Sequence, residues 1–101
     1  MLLSADDIAQ RVAAFPGWKV EGNALVRQYV LASFPDAIAF ATRLAFDAEA
    51  ADHHPDLTIS YKRVTVRWST HEAGGVTDKD FTGVEQSDAV ARLLDRSRLR
   101  A

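Results

Sequence analysis

Ile59-Ser60-Tyr61-Lys62-Arg63-Val64-Thr65-Val66-Arg67-Trp68 is the stretch on which the reading of the fold turns. Ile59 and Tyr61 alternate with polar residues, and so do Val64, Val66 and Trp68, the period-two pattern of half-buried strands. The two sets fall out of phase between Tyr61 and Val64. In one unbroken strand that slip would turn the second set to the opposite face. Two strands joined by a tight turn at Lys62-Arg63 remove the conflict, so the segment is predicted to be a hairpin.

On the N-terminal side, Trp18 to Glu21 and Leu25 to Leu31 are strand-like runs flanking Gly22-Asn23, a second hairpin signal. Three further segments open with Ser or Thr and carry Asp three residues on: Ser4 with Asp7, Ser33 with Asp36, and Thr77 with Asp80. Glu or Gln is the stronger partner in a capping box, but each segment leads into helical spacing. The first helix is expected from about Ala5 to Ala14, with Ile8 and Val12 on one face and Pro16-Gly17 ending it. The second is expected from about Pro35 to Asp52, with Ile38, Ala41, Leu44, Ala45 and Ala48 as its apolar stripe and Pro55 past its end. The third is expected from about Asp78 to Arg98, with Phe81, Val84, Ala91 and Leu94 facing inward. The order α-β-β-α-β-β-α with two hairpins predicts an α+β fold, a four-stranded antiparallel sheet with the helices packed on one face. The other face is left open for a partner subunit.

The 101 residues are read as a single domain spanning 1–101. At 48% hydrophobic and 26% charged, the chain lies in the ordinary globular range. No apolar run approaches the ~20 residues that span a bilayer, and Asp6 and Asp7 directly after Met1-Leu2-Leu3 argue against a secretory signal. The chain has no cysteine, which removes disulfides and thiolate metal sites and fits a cytoplasmic location. A net charge of −2 supplies no basic face for nucleic acid. Arg92, Arg96, Arg98 and Arg100 are read as cations complementing the dipole of a helix C-terminus.

All three histidines, His53, His54 and His71, sit at element ends, where functional side chains concentrate on a rigid scaffold. The imidazole, with an unperturbed pKa of about 6.5, is the side chain suited to proton transfer near neutral pH. A plain reading stands beside this one: a solvated loop residue at 71, and a helix-end cap at 53 or 54. Adjacent histidines cannot point the same way, and they fit poorly to the spacing of four that helical zinc ligands prefer. Glu49 lies four residues before His53, so a Glu-His-His metal set is conceivable, although no metal is expected. There is no nucleophile elbow and no phosphate loop.

Glu49-Ala50-Ala51-Asp52-His53-His54-Pro55, then Tyr61, His71 and Asp80, resembles the signature of the pterin-4a-carbinolamine dehydratase family, with matching spacings. Thr70-His71-Glu72-Ala73-Gly74-Gly75-Val76-Thr77, Gly17-Trp18 and Phe40-Ala41-Thr42-Arg43 extend the resemblance over nearly the whole chain. The resemblance implies the same α-β-β-α-β-β-α order and the removal of water from a 4a-hydroxytetrahydropterin without metal or cofactor. It further implies catalytic roles for His53, His54 and His71, and substrate contacts from His53-His54-Pro55, Thr70-His71-Glu72-Ala73 and Asp80. It implies a small-molecule pterin as partner and assembly as a homodimer or homotetramer. Two departures touch substrate preference: Lys79 stands where some relatives carry Arg, and Leu57 where some carry Trp.

On this reading His53 and His71 form an acid–base pair, and His54 orients substrate or stabilises charge. Asp80 orients His71 or holds the pterin amide, or simply completes the capping box with Thr77. Glu49 sets a histidine tautomer or solvates the helix, and Trp18 stacks on the pterin or belongs to the core. Lys79 is a supporting residue. Two other functions stay in view: a non-catalytic dimerisation or coactivator module, and a metal-dependent hydrolase built on Glu49 and the histidines.

Overall fold

A computed structural model describes residues 1–100, with side chains through Asp95. The order is α1 (Ala5–Val12), β1 (Lys19–Glu21), β2 (Ala24–Val30), α2 (Phe34–Ala51), β3 (Asp56–Ser60), β4 (Arg63–Trp68), one 3-10 turn (His71–Ala73) and α3 (Asp78–Arg100). Each α-helix starts at one of the predicted hydroxyl residues. Ser4 Oγ accepts from the Asp7 N–H at 3.1 Å, and Ser33 Oγ from the Asp36 N–H at 3.2 Å. Thr77 Oγ1 accepts from the Lys79 N–H at 3.3 Å, while the Asp80 carboxylate reaches back to the Thr77 N–H at 2.9 Å, the reciprocal bond of a capping box. Of the C-terminal arginines, Arg96, Arg98 and Arg100 lie outside the residues whose side chains are described.

The strands form one antiparallel sheet in the order β1-β2-β4-β3. Leu25, Arg27 and Tyr29 of β2 pair with Trp68, Val66 and Val64 of β4, and Leu57 and Ile59 of β3 pair with Val66 and Val64. The β3–β4 turn falls one residue earlier than predicted, on Tyr61-Lys62. Arg63 is a ladder residue opposite both Ser60 and Val30. Tyr61, expected in the alternation, takes a left-handed backbone (φ 53°) and is exposed.

The inward side chains of the sheet, including Leu25, Tyr29, Val64, Val66 and Trp68, meet Ala37, Phe40, Leu44 and Ala48 of α2 and Phe81, Val84 and Val90 of α3. Ile8 and Val12 of α1, together with Leu3 and Phe15, pack against the same cluster. All three helices thus share one face. The apolar stripe of α2 is rotated from the prediction: Ala37 and Phe40 are fully buried, whereas Ile38 and Ala45 are exposed. Phe34, Ile38, Ala45 and Phe46 make α2 apolar on more than one side, so periodicity alone left the phase of its buried stripe undetermined. The opposite sheet face is polar: Gln28, Arg63 and Thr65 form cross-strand hydrogen bonds there. No helix among the described residues is long and apolar enough to cross a membrane.

Candidate active site

α2 ends because Asp52 adopts a left-handed conformation (φ 53°), which turns the chain off the helix axis. The Asp52 N–H returns to Glu49 O at 3.1 Å and the His53 N–H to Ala48 O at 3.1 Å, a Schellman-type closure that fixes where the two histidines leave the helix. Their side chains diverge, as adjacent residues must. His53 Nε2 meets Asp80 Oδ1 at 2.7 Å with its side chain only 13% exposed, while His54 Nε2 meets Glu49 Oε1 at 2.8 Å at the surface.

His71 reaches the same end of the sheet from the other side of the hairpin, because the start of β3 lies opposite the end of β4 (Asp56 beside Arg67). Beyond β4, Thr70 pairs with Gly75 through N–H donations in both directions, at 2.9 and 3.3 Å. The bridge pinches out the 3-10 turn that carries His71, Glu72 and Ala73, and Gly74 (φ 76°) supplies the left-handed residue that closes it. The three imidazoles consequently share one cavity of about 280 Å³, lined by Asp52, His53, His54, Ser69, His71 and Glu72. Among the described residues, the His71 ring has no hydrogen-bonded side-chain partner.

Asp80 is the anchor of this corner. It is fully buried, and its two oxygens are used differently. Oδ2 accepts from Thr70 Oγ1 at 2.8 Å and from the Thr77 N–H, and Oδ1 faces His53. Thr70 and Thr77 hydroxyls also meet at 2.8 Å. A carboxylate only accepts, so His53 donates its Nε2 hydrogen, which leaves Nδ1 as the ring nitrogen that Asp80 does not engage. The capping and functional readings of Asp80 are therefore compatible, with one correction: its partner is His53 and not His71. Glu49 likewise bonds His54 rather than His53, because the left-handed break at Asp52 carries His53 off the helical face that it shared with Glu49 in a continuous helix.

Trp18 does not stack near the histidines. It is buried, donates its Nε1–H to Asp88 Oδ1 at 3.0 Å and packs edge-on to Tyr29. The indole beside the site is Trp68, stacked on His53 with ring centroids 5.3 Å apart and planes inclined by 25°. Its strand alternation marks it for the core, where it does lie, and gave no sign that one face would meet a histidine.

Two further hollows adjoin this corner. One of about 500 Å³ is lined by Thr70, Glu72, Ala73 and Lys79 together with Met1, Thr77 and Asp78. The other, of about 110 Å³, is lined by His53, Trp68 and Lys79 with Ala51, Thr82 and Gln86. Glu72 thus borders both the histidine cavity and the large hollow, and Lys79 borders the large and the small one. Pro55 is partly buried immediately before β3. Among the described residues no three His, Asp or Glu side chains are grouped to hold a metal ion. The cavity thus holds a partly buried imidazole with one nitrogen bonded to a carboxylate and an exposed one, His71, in the same lining.

The profile of the family described as Pterin 4 alpha carbinolamine dehydratase matches residues 1–90. A relative from Chloroflexus aurantiacus is 54% identical over 79 residues, covering 78% of this chain and 85% of its own length. One from Roseiflexus castenholzii is 46% identical over 89 residues, covering 88% and 96%. Both bear the pterin-4-alpha-carbinolamine dehydratase name. A crystal structure of a transcriptional coactivator/pterin dehydratase from Brucella melitensis superposes with a TM-score of 0.85 at 32% identity, covering 90% of this chain and 99% of that one. This chain belongs to the pterin-4a-carbinolamine dehydratase family, a family of hydro-lyases.

Proposed function

We propose that the protein dehydrates 4a-hydroxytetrahydrobiopterin to the quinonoid dihydropterin and water, with His53 and His71 as its acid–base pair. Loss of water from C4a needs two proton events, because hydroxide is a poor leaving group and N5 must give up its hydrogen as the C4a–N5 double bond forms. His53, with Nε2 committed to Asp80, offers Nδ1 as the base for the N5 hydrogen. His71, across the cavity and open to solvent, protonates the departing hydroxyl. One proton enters and one leaves, so the reaction needs no net acid or base. His54, held by Glu49, orients the ring or offsets charge.

The observation carrying this reading is that His71 lines one cavity with the adjacent pair His53 and His54, although the β3–β4 hairpin separates them in the chain. Each positioned transfer is worth roughly 10²–10⁴-fold in rate. Replacing His53 and His71 singly with Ala, and following dehydration of freshly made carbinolamine by ultraviolet absorbance, should show losses of that order. Undiminished rates in both variants would overturn the proposal.

The Brucella protein is named a coactivator as well as a dehydratase, which favours a second reading, a binding module with or without catalysis. Stable capture of a protein partner by a chain inactive toward the carbinolamine would support it. We further propose a homodimer or homotetramer, since Phe34, Ile38, Phe46 and Val30 are exposed.

A further inference from the structure

His53 is held on two sides, by Asp80 at its edge and by Trp68 at its face. Asp80 fixes the ring in its plane at Nε2, but one hydrogen bond leaves the imidazole free to pivot about that contact. The indole of Trp68 lies against its face, with centroids 5.3 Å apart. Trp68 is itself fully buried and cannot yield. Its Nε1–H donates to Ser87 Oγ at 3.0 Å, and Ser87 in turn donates to Gly83 O at 2.8 Å, one turn back on α3. Gly83 supplies the space: a β-carbon built there would come within 2.4 Å of the indole. Glycine in the middle of a helix costs roughly 1 kcal/mol against alanine. Here it is required by the close passage of α3 over β4.

We propose that Trp68 is a positioning residue for the dehydration. It holds the His53 ring in the plane that aims Nδ1 into the cavity, and the Gly83–Ser87 notch of α3 sets the indole. The inference rests on the assignment of His53 as the base. It predicts that the face of His53 is shielded: in the wild-type protein the His53 ring protons resonate upfield of a free imidazole, as stacking on an indole requires. It also predicts a specific kinetic signature. A folded Trp68→Leu protein should lose about tenfold in kcat with KM within about twofold, the cost of a loosened catalytic group. Trp68→Phe, which restores an aromatic face, should recover most of that loss.

The experiment combines proton NMR of the His53 ring, assigned with the His53→Ala variant, with kcat and KM for Trp68→Leu and Trp68→Phe after circular dichroism has established folding. Should Trp68→Leu fail to fold, Trp68→Met, which keeps more of the volume and removes the aromatic face, takes its place with the same expected loss in kcat, and a wild-type kcat in it overturns the proposal. A folded Trp68→Leu protein with wild-type kcat would overturn the proposal, and so would His53 protons at free-imidazole positions. The two readings separate cleanly. Full activity in His53→Ala removes the acid–base assignment itself, whereas an inactive His53→Ala beside a fully active Trp68→Leu removes only the positioning role.

Discussion

Two carboxylates of α3, Asp80 and Asp88, each gather donors from distant parts of the chain. Asp80 collects His53, Thr70 and the Thr77 N–H. Asp88 collects Trp18 Nε1, Arg27 and the Tyr29 hydroxyl, all on Oδ1. The device is the same, but the donors differ in kind. Indole, guanidinium and phenol keep their protons at neutral pH, so the Asp88 cluster can only fasten β2, and Trp18 at the entry to β1, to α3. An imidazole has a second nitrogen that exchanges protons near neutrality, and that nitrogen belongs to a ring lining a cavity. One carboxylate makes a staple, and the other, on the mechanism proposed above, prepares a site.

The largest stability effect should follow from Asp80→Ala. It strands a buried hydroxyl, a backbone N–H and a histidine, and should cost about 3 kcal/mol in denaturant unfolding. Asp88→Ala should cost about 2 kcal/mol by the same reasoning, with dehydratase kcat of the folded protein within about twofold of wild type. If Asp88→Ala abolished activity without unfolding, the contrast between staple and site would fail.

Tyr29→Phe sharpens the comparison through pH. Burial first, and then the bond to Asp88, raise the Tyr29 phenol well above its usual value near 10. The unfolded chain releases this proton at about pH 10, whereas the folded chain retains it. The contribution is thus fully present below pH 10 and is lost as pH rises beyond it. Tyr29→Phe should cost about 1 kcal/mol at neutral pH and show a shallower fall in stability above pH 10. Equal alkaline slopes for the two proteins in denaturant titrations would contradict this. The smallest effect is expected from Ser33→Ala, which removes the cap of α2 and should cost about 1 kcal/mol or less without changing kcat. A neutral thermal shift would mean that Ser33 does not cap in solution.

How far the sequence could be read followed the range of each interaction. The caps at Ser4, Ser33 and Thr77 were legible because both partners lie within three residues. The β3–β4 hairpin was legible from the phase slip, although Tyr61 looked like a strand residue because its left-handed backbone has no side-chain signature. The phase of α2 was not legible, since Ile38 and Phe46 are as apolar as Phe40 and only packing against the sheet selects among them. His53, His54 and His71 stood out by type and by family spacing. Of their carboxylate partners, Glu49 was given no particular histidine and Asp80 was given His71; the left-handed residue at Asp52 sends His54 to Glu49 and frees His53 to reach Asp80 across 27 residues. The core placement of Trp18 and Trp68 was legible, but their polar and ring partners were not: the Trp18–Asp88 bond spans 70 residues, and the Trp68–His53 stack depends on a glycine notch in another element.

Whether the carboxylate at position 80 prepares a proton-transferring histidine, and the one at position 88 does not, is decided by the dehydration rate of Asp80→Asn beside that of Asp88→Asn, both confirmed folded. We expect the first to fall on the order of 10²-fold and the second to stay within about twofold of wild type. An Asp80→Asn protein that dehydrates carbinolamine at the wild-type rate would refute the role given to Asp80.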